Sequence, residues 1–174
     1  MLVAIADTEF VLRPQLTKEQ AWEVVEDRVP HLHRKTASLT HHPFSGFVHL
    51  VRHPGLQTAA DNTVHTLVDR FTGRAYITGA WPGIESAADT GDFERVPDPG
   101  WNTITYEQAR ESAARLLRTA ALRRYRLSRF HTVEEQRGFE LIWKPNWVLD
   151  AVLDNRELKV LVDGLNGGYY VIGT

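Results

Sequence analysis

Apolar residues recur at helical spacing in two stretches of the chain, one near its start and one past its middle. In the first stretch the apolar positions are three to four residues apart, at Ala21, Trp22, Val25 and Val29. In the second they are Ala109, Ala113, Leu116, Leu117 and Ala120. Each stretch predicts an amphipathic helix. We expect Pro30 to end the first helix, because an interior proline loses a hydrogen bond and clashes with the preceding turn.

The two predicted helices begin with the same capping signal. Residues 16–21 (LTKEQA) are similar to residues 104–109 (ITYEQA), and each segment has a Thr followed three residues later by a Gln. In a capping box of this form the Thr hydroxyl accepts a hydrogen bond from the first turn, and the Gln side chain accepts one from the backbone N–H of the Thr. The shared signal indicates an internal repeat.

The second half of each repeat predicts a strand, a turn and a strand. Residues 67–79 and 161–173 share Leu, Val, Asp, Gly, Tyr and Gly in register. Each Asp is placed to accept hydrogen bonds from the turn, and each Gly can adopt the positive φ that closes it. These turn residues are Asp69, Gly73, Asp163 and Gly167. A further β-rich stretch with a proline precedes each hairpin, at 41–48 and 143–148.

The order of elements predicts an α+β fold made of two αβββ repeats. We expect one compact domain with a first unit and N-terminal arm at 1–79, a linker rich in Pro, Gly and acidic residues at 80–103, and a second unit at 104–174. Each unit is expected to form antiparallel sheet with its own helix packed on it, and a pseudo-twofold axis is expected to relate the two units.

The hairpin sequences resemble the PepSY-type repeat. The likeness lies in residues 67–76, chiefly Val68, Asp69, Thr72 and Gly73, and in residues 160–170, with Asp163, Asn166 and Gly167. The stretch 145–148 also looks like strands found beside such hairpins. The resemblance implies a module that binds or inhibits partners in a secreted or membrane-anchored setting, and it implies no catalytic residue. This chain departs from that setting because it shows no export signal.

Composition and charge narrow the classes of function. The chain has 174 residues, a net charge of -2 and no Cys, which excludes disulfides, thiolate metal sites and cysteine nucleophiles. A near-neutral charge argues against nucleic-acid binding. The apolar run at 1–6 is broken by Asp7 and is too short for a signal peptide or a membrane span. We therefore expect a cytoplasmic protein without a membrane span and without a cofactor.

Histidines gather in the first repeat. Seven of the eight lie between His31 and His65, and imidazole is the commonest metal ligand. Strand alternation would place His49 and His53 on one face, where His65 could meet one of them, so these three are the candidate metal ligands. No metal-binding spacing accompanies them. We favour the alternative of surface or half-buried histidines.

Aromatic strands of the second repeat are the remaining candidate site. Strands around Trp143, Trp147 and Tyr170 carry apolar residues on both faces, which indicates that both faces are covered. These three are the candidate ligand-binding residues, and no catalytic motif is present. The leading hypothesis is a non-catalytic interaction or assembly module that binds a protein partner or a second copy of itself through apolar sheet surface. The alternatives are a small-ligand or metal-binding protein that uses the His-rich unit, and an enzyme with an unfamiliar site between the units.

Overall fold

The computed structural model describes residues 8–52, 63–97, 100, 103–124 (backbone alone for 121–124) and 132–173. These residues form a mixed α+β protein with one large sheet and two helices, α1 (Lys18–Glu26) and α2 (Tyr106–Arg124). The strands are β1 (Glu9–Val11), β2 (His33–Arg52), β3 (Thr63–Asp69), β4 (Ala75–Thr78), β5 (Glu85–Ser86), β6 (Thr132–Leu153), β7 (Arg156–Asp163) and β8 (Tyr169–Gly173). Three strands follow α2, as the sequence predicts, and α1 is followed by three strands and then by the short β5 within the predicted linker.

Two long strands form the centre of the sheet. β2 and β6 run antiparallel from the pair His33–Val152 to the pair Arg52–Thr132. The hairpin β3–β4 extends the sheet from the second half of β2, and the hairpin β7–β8 extends it from the second half of β6. The predicted sheet was antiparallel throughout, and this is wrong at one place. β1 pairs in parallel with β6 because the chain enters the sheet beside it in the same direction.

Both capping boxes form as predicted. In α1 the Thr17 hydroxyl accepts from the backbone N–H of Gln20 at 3.2 Å, and the Gln20 side chain accepts from the N–H of Thr17 at 2.9 Å. Thr105 and Gln108 repeat both bonds before α2, at 3.1 and 2.9 Å. α1 ends at Glu26, and Pro30 therefore lies beyond the helix that it was expected to end.

Each helix packs mainly on strands from the other half of the chain. Trp22 and Val25 of α1 share a core with Leu149 of β6 and Val160 of β7. In the same way α2 packs through its buried alanines on β2 and β3; the members of that core are Phe47, Val68, Ala109 and Ala113. The expectation that each helix covers its own strands is wrong for most of the packing, although α2 also contacts β6 through the Arg110–Glu135 ion pair. The reason is the register of the long strands: β2 begins beside the end of β6, so the helix that leads into β2 lies over β6.

Both helices lie on one face of the sheet. Side chains alternate between faces along a strand. On β3, Val68 belongs to the core under α2, whereas its neighbour Leu67 faces away from the helices. On β7, Val162 belongs to the core under α1, whereas its neighbour Leu161 faces away. We call this second face the open face.

The described part of the predicted linker packs against the sheet. Its β5 pairs with β1, and Trp81 is buried on the open face. Further along, the backbone of His41 donates to the carbonyl of Glu94 at 2.8 Å and accepts from the N–H of Val96 at 2.9 Å. The segment from 80 to 97 is therefore structural cover for the sheet as well as a connection. The division of the chain into three parts stays a prediction.

Candidate functional site

A pocket of about 480 Å³ lies on the open face, over the paired strands β2 and β6 and between the two hairpins. Three register pairs bring its polar groups together. His42 lies opposite Lys144, Phe44 lies opposite Asp69, and Asn146 lies opposite Asp163. Residues paired across neighbouring strands point to the same face. Long-range strand pairing therefore places two carboxylates, an ammonium, an imidazole and an amide on one surface.

Lys144 is at the centre of the pocket floor. The residue is 7% exposed, and its Nζ lies 2.8 Å from Oδ2 of Asp163 and donates to Oδ1 of Asn146 at 2.8 Å. Burial lowers the pKa of Lys144, while the carboxylates of Asp163 and Asp69 act in the opposite direction. An ammonium with an ion-pair partner and a second acceptor can remain charged inside a protein.

In both aspartates Oδ1 accepts hydrogen bonds from the turn, but the contacts of Oδ2 differ between the two. Oδ1 of Asp163 accepts from the N–H of Leu165 at 2.8 Å, while its Oδ2 faces Lys144. Oδ1 of Asp69 accepts from the N–H of Phe71 at 2.7 Å. Gly73 and Gly167 close these turns at φ values of 75° and 77°, as the sequence predicts. The turn chemistry thus also orients both carboxylates toward the pocket.

His42 is the neighbour of Asp69 on the floor. Burial lowers its pKa, the charge of Lys144 lowers it further, and the carboxylate of Asp69 opposes both effects. A histidine whose pKa falls below its usual value of 6.5 is mainly neutral at pH 7. Asp163 therefore faces a cation, whereas Asp69 faces a neutral ring.

Aromatic and aliphatic side chains form the walls. The indole of Trp81 packs edge to face against Phe139 at 5.6 Å, and its N–H donates to the hydroxyl of Thr78 at 2.9 Å. Gly46 permits this packing, because a Cβ there would overlap Ile142 and lie 2.8 Å from the Trp81 ring. Further apolar lining residues are Leu12, Phe44, Leu67, Ile77, Ala80, Pro82, Leu161 and Leu165.

Two tyrosines stand at the rim. Tyr76 of β4 is 41% exposed, and Tyr170 of β8 is 60% exposed. Partial burial raises the pKa of Tyr170, and the charges of Asp69, Tyr76 and Asp163 raise it further. The two hairpins therefore contribute their tyrosines to the same pocket as the two carboxylates, Asp69 and Asp163.

Only one of the three candidate ligand-binding residues lines this pocket. Tyr170 does so. Trp143 is 3% exposed on the helix-bearing face, beneath Phe93 and the guanidinium of Arg95. Trp147 packs in the core under α1, and its indole N–H donates to the carbonyl of Leu16 at 3.0 Å.

The structure separates the candidate metal ligands that it describes. His49 pairs with Val64 and His65 pairs with Val48, so the two imidazoles lie on opposite faces of β2–β3 and cannot bind one ion together. His65 packs edge to face on Trp81 at 4.9 Å. His53 lies outside the described residues. Within the described ranges no group of three or more His, Asp or Glu is arranged to hold a metal ion.

Sequence reasoning missed most of the pocket. It assigned Asp69 and Asp163 to turn formation alone, and it did not single out His42, Lys144 or Asn146 for any role. One signal was available, since Lys144 is a charged residue between Trp143 and Pro145 in a strand rich in aromatic and aliphatic residues. A charged residue in a strand covered on both faces is rarely buried without a partner.

Comparisons with known proteins give no assignment. No protein-family model matches the chain, and neither the curated proteins nor the solved structures contain a match. Among the described residues, neither helix has the length and apolar character needed to cross a lipid bilayer.

Proposed function

We propose that this protein binds a small organic molecule in the open-face pocket. The observation that carries the proposal is the polar cluster of Lys144, Asp163 and Asn146 on the floor of a cavity with aromatic walls. The cavity volume of about 480 Å³ is in the range typical of ligand sites. A few convergent polar groups within an apolar lining are the usual means by which such a site orients its ligand.

The polar floor favours this proposal over a purely interacting module. An apolar face that only binds another protein has no need of a buried ammonium, because well-packed apolar residues are as stable as a buried ion pair. Titratable groups with shifted pKa values in a cavity are instead typical of functional sites, and both Lys144 and His42 have this property.

A fragment screen by NMR tests the proposal. ¹⁵N-labelled protein is titrated with small aromatic and heterocyclic compounds, and we expect binders to shift the amide signals of Lys144, Asp163 and Trp81. Ala80→Trp narrows the mouth of the pocket at an exposed position, and we expect it to abolish these shifts. Ala88→Trp makes the same exposed change outside the lining and leaves them in place. Compounds that still shift these amide signals in Ala80→Trp would contradict binding in the open-face pocket.

The second candidate function is self-association through β8. In the described chain β8 pairs with β7 alone, and it carries no charged residue. Its apolar side chains are largely exposed, with Val171 at 53% and Ile172 at 45%. An exposed, uncharged edge strand is a template for pairing with another chain. This observation favours a homodimer in which two copies pair along β8, in keeping with the assembly role expected from the sequence.

Sedimentation velocity of matched variants tests this second candidate. Val171→Lys places a charge on the β8 edge, and Ile77→Lys places one at a similarly exposed position on the β4 edge. A homodimer that is lost with Val171→Lys and kept with Ile77→Lys supports pairing through β8. A wild-type protein that sediments as a monomer at about 100 µM, above the affinity range of standard specific interfaces, contradicts it.

We also infer that the two αβββ units arose by duplication and are related by a pseudo-twofold axis near the His42–Lys144 pair. Equivalent contacts support this: the N–H of Arg70 donates to the carbonyl of Pro43, and the N–H of Gly164 donates to that of Pro145. The equivalent capping boxes and Asp turns support it as well. The relation to PepSY-type repeats and the cytoplasmic location stay predictions.

A further inference from the structure

The charges on the pocket floor do not balance. Two carboxylates, Asp69 and Asp163, face one ammonium, Lys144, and the imidazole of His42 is mainly neutral at pH 7 because burial lowers its pKa. The Lys144–Asp163 contact of 2.8 Å pairs two of these charges with each other. One negative charge is left over, and it belongs to Asp69.

Asp69 has the geometry of a ligand-binding carboxylate. Its Oδ1 accepts from the turn N–H groups of Phe71 and Thr72, at 2.7 and 3.3 Å, which holds the side chain in place. Within the described ranges no Lys, Arg or His lies within ion-pair distance of it. Asp69 lines the cavity together with Lys144 and Tyr170, and its negative charge acts on both of these groups.

The walls suit a cation with an apolar body. Aromatic faces attract cations, and two rings of the lining already do so: Nζ of Lys144 lies 5.6 Å from the ring of Phe44, and the guanidinium of Arg74 lies 5.2 Å from the ring of Tyr76. Trp81 supplies the face of an indole and Leu67 an aliphatic surface in the same lining. An anionic ligand would instead meet an excess negative charge and an ammonium that Asp163 already neutralises.

We propose that the pocket selects an organic ammonium ion, whose N–H groups donate to Asp69 and whose apolar body packs against the aromatic walls. This inference rests on the proposed ligand-binding function and names the chemical class of the ligand. It leaves Lys144 and Asp163 as a fixed pair that shapes the floor, and it makes Asp69 the residue that determines specificity.

Three compounds that share an indole ring and differ in charge test whether the pocket selects an organic ammonium ion. Tryptamine, tryptophol and indole-3-acetate share the indole and differ in carrying an ammonium, a hydroxyl or a carboxylate. We titrate each into the ¹⁵N-labelled full chain at pH 7 and follow the pocket amides. We expect tryptamine to bind at least about tenfold more tightly than tryptophol, since a charge-assisted hydrogen bond contributes that much, and indole-3-acetate to bind most weakly.

A variant without the charge of Asp69 tests whether this carboxylate causes the preference for an ammonium ion. Asp69→Asn keeps an oxygen for the turn N–H groups and removes the charge, so we expect tryptamine to lose about tenfold in affinity and tryptophol to lose little. Asp154→Asn makes the same change in the exposed turn between β6 and β7, about 25 Å along the strand from the pocket, and leaves both affinities unchanged.

The outcomes separate the two proposals. Equal binding of tryptamine and tryptophol, or tighter binding of indole-3-acetate, overturns selection for a cation while the pocket remains a binding site. Equal loss of both probes with Asp69→Asn also overturns it, because the turn and not the charge would then be responsible. If no probe shifts the pocket amides, selection for organic cations is wrong, and the fragment screen decides the wider proposal separately.

Discussion

At the scale of single residues, the pocket depends on side chains that are held by specific neighbours. The Lys144 ammonium has two acceptors and almost no contact with solvent, and Gly46 leaves the space into which Trp81 packs. In both cases the residue type is set by the side chains that surround it in the folded protein. Two substitutions test how much the fold depends on them.

Replacing Lys144 by Met keeps most of the apolar stem and removes the charge. We expect Lys144→Met to lower the free energy of unfolding by about 2 kcal/mol, because Asp163 is left partly buried without its partner. Lys159→Met is the matched control: Lys159 is half exposed and lies 3.7 Å from Asp150, so its loss should cost less than about 0.5 kcal/mol. Urea denaturation measures both, and equal effects would contradict a structural role for the Lys144 pair.

Adding one methyl group at Gly46 tests the packing of Trp81. The new Cβ would overlap Ile142 and crowd the indole, so we expect Gly46→Ala to destabilise the fold by about 2 kcal/mol and to alter the near-ultraviolet circular dichroism. Gly79→Ala adds the same group where no heavy atom lies within 4 Å, and should change stability by less than about 0.5 kcal/mol. A tolerated Gly46→Ala with unchanged spectra would show that the wall can shift.

At the scale of elements, the helices cross over between the two halves of the chain. α1 covers β6 and β7, and α2 covers β2 and β3. Local signals predict where each helix begins, because the capping box is a contact between residues three apart. They do not predict which strands the helix covers, since that depends on β2 and β6 pairing along their whole length.

A double-mutant cycle tests the crossed packing. We expect Val25→Ala in α1 and Val160→Ala in β7 each to cost about 2 kcal/mol and to show a coupling energy of at least about 0.5 kcal/mol, because the two side chains share one core. Val25→Ala combined with Val68→Ala in β3 should be additive, because Val68 belongs to the core under α2. Chemical denaturation measures the free energies of unfolding. Additivity for Val25 with Val160 and coupling for Val25 with Val68 would contradict the crossed packing.

At the scale of the whole molecule, burial of histidines makes stability depend on pH. Burial is the main cause that lowers the pKa of four histidines in the folded state. These are His41, His42, His49 and His65. Below the unfolded pKa of about 6.5 the unfolded chain binds more protons than the folded one, and stability therefore falls as the pH falls.

We expect the free energy of unfolding to decrease as the pH falls from 7 to 5. The ion-paired glutamates protonate below this pH range, because their pKa values are lowered, so they do not contribute to the decrease. His49 is 3% exposed, and within the described chain its Nδ1 has no hydrogen-bond partner, so His49→Gln should reduce the slope of this dependence while His41, His42 and His65 maintain the rest. His33→Gln, at an exposed position, should leave it unchanged. Urea denaturation at several pH values measures the slope, and a flat profile for the wild type would rule out this linkage.

The amino-acid sequence alone determined the local parts of this protein. The capping boxes at Thr17 and Thr105, the hairpin turns at Asp69 and Asp163 and the order of one helix followed by three strands were all predicted, because each depends on contacts between residues close in the chain. Tertiary structure alone decided which strands each helix covers and which polar residues share the pocket. Residues 42 and 144 meet because of the register in which the two long strands pair, and that register, which shifts at three places along the strands, is a property of the whole sheet.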